Sequence, residues 1–589
     1  MRSTALVLTL LLFSPACMAA PRKPDTAASD WVARSNQDAQ VLLQAQSEFA
    51  PERASSIGLP GYDDKVSDLG PHYAERRRAA YAAARDKLQL AMARETDPNV
   101  RQDLQIMIDA ANRSIEGSEL EERMMLDWID APELVFGGEQ SLLQQQASPE
   151  KRAKALIRLQ RYLGLVPGST SIFEQAKSRF ADSIGGGRIG PYKNEVEHAL
   201  ANATTYADGI RKMFVEFGIA HADTTLAALD KQVADYAAWE SANVLPKARA
   251  DFRLPPELYA FGLKRVGIDI DPMLLIQRAS LEYMETRAEM QQLAPIVARE
   301  HGFDATDYRD VIRALKKDQL DRTQVEPYYR DTVIPAIEKA IAANHIVSLP
   351  QRPMIMRIAS DAETAAQPAP HMQPPPLIDN HGERGQFVLS TGDPSAGPDA
   401  AYDDFDFKAA AWTISAHEAR PGHELQFAQM LARGVSQARA LYAFNSVNAE
   451  GWALYAESQF MPYEPIEGQL IAMQYLLLRE SRAMLDPMLN LGQIEPDQAT
   501  RWLREQVGLS KAFTKEEVDR FTYRGPGQAG SYYYGYGQLA DLRTATELAL
   551  GDKFDRKAFN DFIVDQGLLP LDLLGKAVRE QFIPVQMRK

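Results

Sequence analysis

Apolar residues recur at three- and four-residue spacing along most of this 589-residue chain, a period that commits it to burying its core between helices. The pattern predicts helices over residues 31–49, 73–95, 99–115, 149–163, 195–217, 224–244 and 272–300. Asp271-Pro272 supplies an N-cap followed by a first-turn proline. Gly117, Gly434 and Gly551 each follow an apolar-periodic stretch, where glycine ends helices. The glycine run 183–187 marks a mobile loop or a tight backbone approach. The texture changes near Ile346. Residues 353–359 and 385–390 read as short strands, 365–376 as a proline-rich surface loop, and 406–419 as a return to helix. The expected fold is mainly α, with one small β-sheet beside a special helix. Residues 21–345 form an N-terminal helical region and 346–589 the region that carries chemistry.

Hydrophobic residues make up 45% and charged residues 25%, an ordinary globular balance that excludes a disordered chain or a polytopic membrane protein. A chain this long needs no disulfide or metal to hold its core. Sixty-five basic against eighty acidic side chains leave a formal charge of −15, so the overall field does not favour nucleic acid or anionic lipid. Met1-Arg2, the apolar run 5–13 and the small residues before position 20 read as a secretory signal peptide over residues 1–20. That run is too short to span a bilayer. The expectation is export, to the periplasm. Cys17 is the only cysteine, and it is either removed with the leader or kept as a lipid-modified first residue.

Two of the nine histidines fall within seven residues, in Ala416-His417-Glu418-Ala419-Arg420-Pro421-Gly422-His423-Glu424-Leu425-Gln426. A hydrolytic zinc site needs two neutral imidazoles, a third ligand, an open position for water and a carboxylate base. Four-residue spacing would put two histidines on one helix face; six-residue spacing turns them about 120° apart and about 9 Å along the axis of a straight helix. Pro421-Gly422 lies between them and offers a break that could swing His423 back. Without that break, His417 and His423 are two unrelated histidines.

This segment resembles the signature of the bacterial family catalogued as domain of unknown function 885. The family looks like a branch of the gluzincin metallopeptidases, similar in fold to the helical carboxypeptidase Taq and oligopeptidase groups. Glu450-Gly451-Trp452-Ala453-Leu454-Tyr455-Ala456-Glu457 also matches its pattern, as do Arg482 with Asp486, and Glu517-Val518-Asp519-Arg520-Phe521 running into Pro526-Gly527-Gln528-Ala529 with Tyr532 and Gly535. The agreement covers residues 374–537. The resemblance implies His417, His423 and Glu450 as zinc ligands and Glu418 as the base acting on water. Glu457, seven residues after Glu450 on the same helix face, is expected to hydrogen-bond a ligand imidazole from behind. Glu424 and Asn490 stand where histidine is common in the family, and a glutamate at 424 bears on which metal binds.

Residues 525–537, rich in glycine and tyrosine, read as a loop that places a phenol against a developing oxyanion. Tyr532 is the first choice, and Tyr533, Tyr534 and Tyr536 are packing or pocket wall. Arg384 and Arg524 could bind a peptide carboxylate bidentately, and the strand 385–390 would be the edge that pairs with an extended substrate. The remaining histidines lack ligand spacing; His381 is nearest the site in sequence. The chain has no phosphate-binding glycine loop and no Gly-x-Ser-x-Gly elbow, and Arg76-Arg77-Arg78 reads as a solvated helix face. Two functions remain: a zinc-dependent peptidase acting on short peptides, or a non-catalytic exported binding or scaffold protein with an altered metal site. The sequence sets no oligomeric state.

Overall fold

The computed structural model describes residues 26–390 and 402–589; the expected signal peptide and Cys17 lie outside them. Helices form where the period is longest. In the N-terminal half they include α1 (Thr26–Phe49), α2 (Tyr73–Met92), α3 (Pro98–Met124), α4 (Lys193–Glu216), α5 (Asp223–Asn243) and α6 (Pro272–His301). Asp97 and Asp271 cap α3 and α6 by accepting the backbone N–H two residues on, each with proline in the first turn.

Gly117 does not end a helix. It lies inside α3, where a Cβ would come within 2.9 Å of the Phe261 ring, so the glycine is a packing point. The helix expected over 149–163 is broken into Pro149–Arg152 and Ala155–Tyr162. In the 183–187 run, Gly185, Gly186 and Gly187 all take positive φ.

Three strands, β1 (Ile355–Ile358), β2 (His371–Gln373) and β3 (Gln386–Leu389), form one sheet in the order β1-β3-β2. β1 runs parallel to β3 with Met356 opposite Phe387, and β2 runs antiparallel with Met372 opposite Phe387. Two expectations are corrected here. The 365–376 segment, read as loop because of its prolines, carries β2. β3 is the central strand, paired on both sides, so the edges of the sheet are β1 and β2.

Beyond the sheet come α7 (Ala410–Glu418), α8 (His423–Arg433), α9 (Ser446–Phe460), α10 (Ile466–Asn490), α11 (Lys511–Asp519) and α12 (Ser531–Leu550). Gly434, at φ 69°, ends α8 as expected. The main apolar core draws residues from Ala39 to Phe582, so helices of both halves share it. A second core is built from Leu69 to Tyr236 together with Ala362. Helix α10 is central. It packs along α6 on one side and against α7 and α12 on others, while α9 packs along α12. The sheet, α7 and α9 thereby surround one cleft. Among the described residues, no helix is long and apolar enough to cross a membrane.

Candidate metal centre

The break at Pro421-Gly422 is present, and it reverses the backbone sharply. Helix α7 stops at Glu418, Ala419 leaves helical torsions (φ −97°, ψ −106°), and α8 begins at His423. A Cβ on Gly422 would sit 1.8 Å from the carbonyl oxygen of His417, so only glycine fits this fold-back. The rings of His417 and His423 end 4.8 Å apart, nearly perpendicular. The indole N–H of Trp452 donates to the carbonyls of Pro421 (3.2 Å) and Gly422 (3.3 Å), fastening the turn to α9. Trp452 is only 2% exposed, so this tether lies within the core.

The same helix carries Glu450. Its Oε2 lies 3.5 Å from His417 Nε2 and 3.2 Å from His423 Nε2. Ligand atoms of the three side chains all fall within 4.8 Å of one another, and Glu450 Oε2 is buried without a well-directed hydrogen bond. Two nitrogens and an orphaned carboxylate oxygen converging on one point fit a divalent cation of zinc's size and ligand preference. Burial opposes the charge on Glu450, but the two imidazoles outweigh it and hold its carboxyl below the usual range. Glu418 closes the group from α7, with Oε1 4.0 Å from His417 Nε2; burial raises its carboxyl, against the pull of both imidazoles.

Glu457 sits behind His417, where it was expected. It hydrogen-bonds Nδ1, which leaves Nε2 facing Glu450. Its Oε2 accepts from Thr413 at 2.7 Å, and Arg479 Nη2 lies 3.4 Å from Oε1, the oxygen that bonds His417. Burial alone would depress the His417 imidazolium. Glu457 and Glu450 together reverse that and push it up to about 9.

Tyr532 reaches the site from the first turn of α12. The expected loop 525–537 becomes helix at Ser531. Gly451 and Gly535 bring the backbones of α9 and α12 into contact: a Cβ on Gly451 would lie 2.6 Å from the Gly535 carbonyl carbon. The Tyr532 ring then lies nearly parallel to His417, with centroids 6.1 Å apart. Tyr534 hydrogen-bonds Asp269 instead, and neither it, Tyr533 nor Tyr536 lines the cleft. Asp486 accepts from the backbone N–H of Gly527 (2.9 Å) and Ala529 (3.3 Å), fixing the segment before α12. Asn490 donates to Asp486 Oδ1 and to the Phe521 carbonyl, a structural part.

The arginines divide. Arg524 lines the cleft, whereas Arg384 does not, and it donates to the Pro353 carbonyl. Glu424 pairs with Arg420 at 2.6 Å and is not one of the three converging side chains. His381 is paired with Asp379 at the surface, while His371 of β2 lines the cleft. Residues of β2, not of β3, line the cleft. Sequence reasoning missed His371, because β2 is too short and proline-flanked to show a period. It missed Arg479 too, although Arg479 stands one turn from Arg482 on the same face of α10.

The cleft encloses about 580 Å³. A larger hollow of about 1060 Å³ lies between Tyr73, Trp128 and Arg179 in the N-terminal half, and it gathers none of the expected site residues.

The profile of the family described as bacterial protein of unknown function (DUF885) matches residues 51–578. The chain belongs to the DUF885 family. Two solved structures are similar to this DUF885 protein. One, from Shewanella oneidensis, is described as "a putative lipoprotein of unknown function"; it is 19% identical, with a TM-score of 0.70 over 93% of this chain and 100% of that one. The other, "the putative lipoprotein from Colwellia psychrerythraea", is 18% identical, with a TM-score of 0.73 over 94% of this chain and 99% of that one. At these identities the likeness concerns the fold. No curated protein matches the DUF885 chain.

Proposed function

We propose that this protein is an exported zinc-dependent metallopeptidase of gluzincin type that hydrolyses short peptides. The observation that carries the reading is the convergence of His417, His423 and Glu450 within 4.8 Å, with Glu418 beside them. Zinc held by the two Nε2 atoms and Glu450 would supply Lewis acidity and lower the pKa of a water. Glu418 takes the proton of the attacking water as it adds to the scissile carbonyl, and afterwards delivers it to the leaving amine. The Tyr532 phenol, stacked beside His417, donates to the oxyanion. Glu457 keeps the His417 ring in the tautomer and orientation that present Nε2. The β2 edge offers backbone groups to an extended peptide. A cleft of this size between helices suits short unstructured chains. Export rests on the N-terminal sequence and on the lipoprotein descriptions of the two similar structures.

The test is a Glu418→Gln variant assayed on a mixed peptide library. The substitution is isosteric and spares the ligands, so zinc content stays and hydrolysis falls by about 100-fold or more. Undiminished hydrolysis would remove Glu418 from the mechanism. A wild-type protein that binds metal but cleaves nothing would favour the binding-protein reading.

A further inference from the structure

Four arginines face the cleft: Arg479 and Arg482 from α10, and Arg520 and Arg524 from the wider turn that continues α11. Their charges are not equally matched. Arg482 is locked to Glu517 by two 2.6 Å contacts, and Arg479 lies 3.4 Å from Glu457. Arg520 is held more loosely: 3.2 Å to Glu516, 3.7 Å to Glu517, 3.4 Å to Gln528 and 3.3 Å to the Tyr532 hydroxyl. Arg524 has no carboxylate within 4 Å among the described residues. Its partners are His198 and the carbonyls of Ala365 and Ala366, all without negative charge. Among the described residues, one cation thus faces the cleft without a carboxylate within 4 Å, next to a second whose carboxylates lie 3.2 and 3.7 Å away.

We infer that Arg520 and Arg524 anchor the C-terminal carboxylate of the substrate, so that the proposed peptidase acts as a carboxypeptidase. Arg520 touches the hydroxyl of Tyr532, whose ring lies 6.1 Å from that of His417, so the anchor lies just across the phenol from the metal ligands. One residue spans about 3.8 Å between Cα atoms. A carboxylate held at Arg520, across Tyr532 from His417, would set the last peptide bond at Glu418. In the reaction, water adds its oxygen to the carbonyl carbon and the C–N bond breaks. Protons from the water pass to the amine, leaving a shortened peptide acid and a free amino acid. Paired guanidinium groups suit a planar carboxylate, and a C-terminal amide lacks both the charge and the second acceptor.

This inference rests on the peptidase reading, and binding separates the two. The mature Glu418→Gln protein, with and without added zinc, is titrated calorimetrically with N-acetyl-trialanine as the free acid and as the amide. The acid should bind about 10- to 100-fold more tightly than the amide. In Arg520→Gln and Arg524→Gln backgrounds that ratio should collapse towards one. The acid–amide comparison needs no arginine variant, so poor folding of either does not shield the proposal. Equal or absent binding of acid and amide, or a ratio that survives both substitutions, overturns it. Selective binding of the acid without hydrolysis by the wild-type protein would sink the peptidase reading and leave the anchor standing.

Discussion

Glu457 holds the Nδ1 side of His417, and so turns its Nε2 toward Glu450, 3.5 Å away. Both carboxylates belong to α9, two turns apart, and they grip one imidazole from opposite sides. Replacing Glu457 with Gln removes the charge but keeps the shape. Partners behind a ligand imidazole are worth about 10- to 100-fold in metal affinity. A chelator-competition titration of Glu457→Gln should show a loss of that size; unchanged affinity would mean that Glu457 only fills space.

The contact between α9 and α12 sets where Glu450 stands. A Cβ on Gly535 would meet the Val447 carbonyl oxygen at 2.0 Å and the Gly451 Cα at 2.8 Å, both backbone atoms, so Gly535→Ala must push the helices apart. Overpacking of this kind costs about 3 kcal/mol. The predicted outcome is a lower thermal midpoint together with reduced zinc content, because Glu450 moves with α9. Normal metal content in a destabilised variant would uncouple the site from this contact.

Glu480 of α10 is 1% exposed and accepts from Thr286 at 2.7 Å, and burial pushes its carboxyl up to about 8. Below about pH 4.5 the carboxyl is protonated in both folded and unfolded chains and pH has no effect through it. Between that value and 8 the unfolded chain ionises while the folded one keeps its proton, so stability falls as pH rises. Above 8 the loss is complete, on the order of 5 kcal/mol. Glu480→Gln keeps the acceptor and removes the titration. Thermal midpoints measured from pH 5 to 9 should fall less in the variant than in the wild type; parallel curves would refute the assignment.

Much of this architecture is legible in the residues. The helices read correctly where apolar periods are long and capped, as at Asp271-Pro272. The reading failed at Gly117, where a glycine serves packing against Phe261 and not termination. It also failed at β2, whose three residues lie among prolines and owe their pairing to β3. The site was legible as a motif, because Pro421-Gly422 announces a break. The direction of the break depends on Trp452 and on the missing Cβ of Gly422, and neither follows from spacing alone. Charge matching among the cleft arginines was beyond reach, since their partners come from distant segments: Glu517 for Arg482, Glu457 for Arg479, and His198 for Arg524.

We propose that His417, His423 and Glu450 hold one zinc ion. Elemental analysis of the mature protein, purified without chelator or metal-affinity resin, tests it most directly. The expected result is about one zinc per chain, lost in His423→Ala. A protein that carries no metal and takes up none on titration would contradict it.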